Sequence, residues 1–69
     1  MKTIQEQIEQ FLTATGLTSY RLAKEAGLNK SYVSRLKNGR QRNAYSKNAD
    51  ALRAAMKRLD PETARKVLA

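Results

Sequence analysis

Residues Thr18–Gly39 read TSYRLAKEAGLNKSYVSRLKNG, and their spacing decides the fold. Leu22, Ala23 and Ala26 give an inner face to a helix over about 19–26, capped by Thr18. Gly27 follows, where a left-handed backbone is cheap only for glycine. A second helix over about 30–38 is capped by Asn29, turns Val33 and Leu36 inward, and is followed by Gly39. Two helices joined by a turn of about three residues make a helix-turn-helix. Small Ala23 allows a close crossing, and Leu22, Leu28, Val33 and Leu36 pin it. Lys30, Ser31, Tyr32, Ser34, Arg35 and Lys37 are then free of core duty, and none is acidic.

The flanks read as helix too. Ile4, Ile8, Phe11 and Leu12 form one apolar stripe over about 4–15, started by the Thr3-x-x-Glu6 capping box and stopped by Gly16. Leu52, Ala55, Met56 and Leu59 face inward from a helix over about 47–59, with Ser46 as cap. Asp60-Pro61 restarts a last helix over about 61–68. No β-branched run alternates with polar residues. The expected class is all-α: a bundle of four to five short helices in a single domain over 1–69, the helix-turn-helix at 18–39 and C-terminal helices at 46–68. The expected core is Ile4, Ile8, Phe11, Leu12, Leu17, Leu22, Ala23, Leu28, Val33, Leu36, Leu52, Met56 and Leu59.

Composition narrows the chemistry. A chain of 69 residues buries roughly 60% of the surface its unfolded form exposes, too little for a deep substrate cavity. There is no His and no Cys, which removes thiol and imidazole catalysis, disulfides and the commonest metal ligands. Six scattered carboxylates offer no general acid–base pair, so no enzyme and no cofactor are expected. No apolar run approaches the ~20 residues of a membrane span, and MKTIQEQIEQ is no signal peptide. The net charge is +8 and uneven. Residues 1–19 sum to −1, residues 20–47 to +7 and residues 48–69 to +2. A middle third so basic suggests a polyanionic partner.

At this point the sequence resembles the phage Cro and lambda-repressor family, also called the XRE type. The resemblance rests on Thr18, Leu22-Ala23, Ala26-Gly27-Leu28, Ser31, Val33-Ser34-Arg35-Leu36 and Asn38-Gly39. It is dense over these 22 residues and extends elsewhere only to helix number and length. It implies a recognition helix, 30–38, in the major groove of duplex DNA, and regulation by a homodimer on a palindromic operator. Ser19 stands where the family usually has Gln, with shorter reach toward phosphate, and Lys37 where it has Glu before Asn-Gly.

Base contacts are expected from Lys30, Ser31, Ser34, Arg35 and Tyr32, the last expected to point outward. Arg35 is the strongest candidate, because its guanidinium can donate twice to guanine. Phosphate contacts are expected from Thr18, Ser19, Arg21, Lys37, Asn38, Gly39, Arg40, Arg42 and Lys47, with Lys24 flanking the groove or merely solvated. Asp50 is placed to pair with Arg53 or Lys47. Ala54, Ala55, Leu59, Val67 and Leu68 offer a dimer patch, unless Val67 and Leu68 close the core instead. The expected function is a sequence-specific transcriptional repressor in the cytoplasm, dimeric either free or only on DNA, with no small-molecule ligand. Lack of a Pro/Gly-rich linker after Leu59 suggests a complete regulator rather than an excised domain. Two other classes remain open: an antitoxin-like protein-interaction module working through its C-terminal helices, and a basic RNA-binding bundle.

Overall fold

Local chemistry at the helix ends sets the element boundaries. The computed structural model describes residues 3–40 and 46–69. They form α1 (Ile4–Thr15), α2 (Ser19–Ala26), α3 (Lys30–Lys37), α4 (Ser46–Leu59) and α5 (Pro61–Val67), with no strand among the described residues. Thr3 caps α1 through a complete capping box: its hydroxyl accepts from the Glu6 amide at 3.2 Å, and the Glu6 carboxylate accepts from the Thr3 amide at 3.2 Å. Thr18, Asn29 and Asp60 cap α2, α3 and α5, each side chain accepting a first-turn amide. Ser46, expected as a cap, is the first residue of α4 itself. Residues 41–45, Arg42 among them, lie outside the described residues.

All five helices feed one core. Ile8, Phe11, Leu22, Val33, Leu36, Leu52 and Met56 are fully buried, each large apolar side chain contributing roughly 1.5–3 kcal/mol on removal from water. Ile4, Leu17, Leu28 and Leu59, expected inside, are only partly buried against this cluster. Ala55, Ala64 and Val67 join it, and Ala49 is buried as well. The core takes up part of the surface expected as a dimer patch on the last two helices. Ala55 and Val67 are core residues, and Leu59 and Leu68 pack half-buried against them.

Two polar ties lock the helices together. Gln7 is buried, and its amide oxygen accepts from Arg53 Nε of α4 at 3.0 Å. Arg53 also lies 3.6 Å from Asp50, one of the two pairings expected for that carboxylate. At the other end of α4, Arg58 Nε meets the Glu25 carboxylate at 3.1 Å and Arg58 Nη2 donates to the Glu25 carbonyl at 2.9 Å. No helix among the described residues is long and apolar enough to cross a membrane.

Candidate nucleic-acid interface

The turn between α2 and α3 is built by backbone geometry. Gly27 takes φ +73°, its amide reaching the Lys24 carbonyl at 3.3 Å while the Leu28 amide reaches the Ala23 carbonyl at 2.9 Å. This pair of bonds is a Schellman closure, with Leu28 brought back over Ala23 at the apolar end. Asn29 then starts α3, its side chain accepting from the Ser31 amide at 2.7 Å. The same closure ends α3. Gly39 takes φ +78°, its amide bonds the Leu36 carbonyl at 3.3 Å, and the Arg40 amide bonds the Arg35 carbonyl at 2.9 Å. Arg40 is thereby fixed to the end of the helix that carries Arg35.

The two sides of α3 separate cleanly. Val33 and Leu36 are completely buried, whereas Lys30, Ser31 and Arg35 are exposed. At about 100° per residue, the direction midway between Val33 and Leu36 leaves Ser31, Ser34 and Arg35 on the side away from the core and Lys30 on the flank. The same wheel puts Tyr32 and Lys37 about 70° either side of the inward direction, and both are half-buried. Tyr32 thus does not point outward as expected. It packs against the core, and its hydroxyl accepts from Asn48 Nδ2 of α4 at 3.2 Å. Ser34 is half-buried as well.

Most of the residues expected to contact phosphate are open to solvent. Thr18, Arg21, Asn38, Gly39, Arg40 and Lys47 are exposed, and Ser19 is half-buried. Thr18 accepts from the Arg21 amide at 3.2 Å, so the first-turn amides of Ser19 and Tyr20, which have no acceptor within the helix, face outward at the positive end of α2. Arg42 lies outside the described residues. Lys47 sits in the first turn of α4, a poor place for a cation unless an anion is near. The one acid between Thr18 and Arg40 is Glu25, and Arg58 holds its carboxylate toward α4. The exposed side of α3 is left with cations and hydroxyls.

One residue was not anticipated. Tyr20, 52% exposed, is the single large hydrophobic side chain so exposed among the described residues, and Lys30 Nζ lies 6.0 Å from its ring centre. No spacing rule flags it, because the pair spans the turn between two helices. A trough of about 490 Å³ is lined by Glu6, Glu9, Gln10, Thr13 and Ala14, all on α1. Its walls come from one helix, and both carboxylates are exposed. No family model, no curated protein and no solved structure gives a significant match to this chain.

Proposed function

We propose that this chain is a sequence-specific double-stranded DNA-binding regulator that acts as a Cro-like repressor in the cytoplasm. α3 lies in the major groove, Arg35 and Lys30 reading guanine edges and Ser31 adding a weaker contact. The N-terminus of α2, Arg21, Lys37, Arg40, Arg42 and Lys47 hold phosphates and so fix register without reading sequence. Two copies occupy half-sites about one helical turn (~34 Å) apart and exclude polymerase from an overlapping promoter. The observation that carries this reading is the two-sidedness of α3: Val33 and Leu36 are at zero exposure while Lys30, Ser31 and Arg35 are open and unopposed by any carboxylate on that helix. The half-buried Tyr32 is assigned to packing rather than to a base.

The test is selection of duplexes from a random library, followed by titration of the winner across a salt series. Five phosphate-binding cations per copy give a log–log slope of about −4.5 for one copy bound and about −9 for two. Arg35→Ala should flatten preference at one base pair at a cost of about 1–3 kcal/mol, whereas Arg40→Ala should weaken all duplexes alike and lower the slope by about 0.9. No enrichment of any duplex, or tighter binding to single-stranded RNA, overturns the proposal. A binding surface confined to α4 and α5 would replace it with a protein-interaction module.

A further inference from the structure

Lys30 occupies an awkward position. It is the first residue of α3, where the helix dipole disfavours a cation, and no acidic residue lies in that first turn. An exposed lysine there should sample many rotamers. Its ammonium instead lies 6.0 Å from the centre of the Tyr20 ring, across the turn on α2. Tyr20 and Lys30 share an open depression of about 240 Å³ with Ala23, Lys24 and Leu28. A half-exposed tyrosine contributes little to the core, and its ring offers the local attraction for a cation that the helix end lacks.

We infer that Tyr20 is a positioning residue, whose ring holds the Lys30 ammonium beside the start of the recognition helix and so sharpens the base preference that Lys30 provides. This rests on the DNA-binding reading above. Pre-arranging one long side chain removes part of the ordering cost of binding. An exposed cation–π contact favours the held rotamer by about two- to fivefold, and that is the size of effect expected.

The pair is tested first without DNA. In the free protein, the Lys30 side-chain protons should show an upfield ring shift that persists in Tyr20→Phe and vanishes in Tyr20→Leu. Absence of the shift in the wild type overturns the inference and leaves the DNA-binding reading untouched. Library selection and titration then follow. Tyr20→Phe should keep the wild-type preference and affinity. Tyr20→Leu should lose about two- to fivefold in affinity for the selected duplex and flatten the same base pair as Lys30→Met. The double variant should be no worse than Lys30→Met alone. An unchanged profile in Tyr20→Leu, a full effect of Tyr20→Leu in the Lys30→Met background, or a loss in Tyr20→Phe equal to that in Tyr20→Leu overturns the inference. Failure of the wild type to select any duplex overturns the DNA-binding reading itself, with the ring shift still measurable.

Discussion

Replacing Gly39 by Ala should destabilise the fold more than replacing Gly27 by Ala, although both glycines close a helix in the same way. Their φ values, +78° and +73°, lie in the left-handed region, where a Cβ costs about 1–2 kcal/mol. At Gly27 that is the whole cost, because a Cβ there meets no heavy atom within 4 Å. At Gly39 a Cβ would sit 3.1 Å from Gln5 Nε2, which donates to the Lys37 carbonyl at 3.4 Å. The Gln5 amide must give by a few tenths of an ångström, which weakens a bond already long and adds about 0.5 kcal/mol. A chain of this length has roughly 3–10 kcal/mol of stability in all, so either variant loses a measurable share. Each kcal/mol should lower the melting temperature by about 4–8 °C. Urea unfolding followed by circular dichroism gives both values. Repeating Gly39→Ala in a Gln5→Ala background should remove the excess and leave only the backbone cost. If Gly27→Ala proves equal or worse, or the excess survives without Gln5, the account of this contact between α1 and the end of α3 is wrong.

Two further outcomes follow from the side-chain ties. Tyr32→Phe deletes the acceptor for Asn48 Nδ2 and should cost about 0.5–1.5 kcal/mol in thermal unfolding while leaving affinity for a selected duplex unchanged; a large loss of affinity in a folded variant would return Tyr32 to the DNA face. Arg58→Ala breaks both links to Glu25, and with the pair partly exposed the loss should be about 0.5–1.5 kcal/mol. Glu25→Gln should cost less, since the bond from Arg58 to the Glu25 carbonyl survives; equal losses would mean that the carboxylate alone carries the contact.

Helix starts and stops were legible because they are local. Thr3 with Glu6, Thr18, Asn29 and Asp60 each act within one turn, and Gly27 and Gly39 need no distant partner to take positive φ. The large apolar positions followed from period alone. What escaped was pairwise. Ala49 and Ala64 are buried because small residues let helices approach, which a sequence records only when both surfaces are known. Gln7 is inside because Arg53, 46 residues away, satisfies its amide oxygen. Val67 can serve a partner or close the core on its sequence alone, and the packing of α5 against α1 and α4 decides for the core. The period of α3 leaves Tyr32 open to an outward or a half-buried place, and its packing against the core and its bond from Asn48 give it the half-buried one. On the candidate site the sequence supplied Lys30, Ser31 and Arg35 by elimination from the core. It could not supply Tyr20, whose partner lies across a turn of unknown angle.

A stable pair of copies buries about 800 Å² per partner, roughly a sixth of this chain's 4647 Å². With Ala55 and Val67 inside, the expected patch is reduced to Ala54, Leu59 and Leu68, each already half-covered. Each copy also carries +8, so two copies approaching in water repel. A duplex changes both terms, because its phosphates neutralise the cations of each copy and its helical repeat places the copies side by side. A pairing too weak to persist free then needs only the high local concentration that adjacent half-sites create. Under the proposed function, the operator is therefore what assembles the repressor, and the steeper salt slope should appear together with sigmoidal occupancy on a two-half-site duplex and vanish on a single half-site.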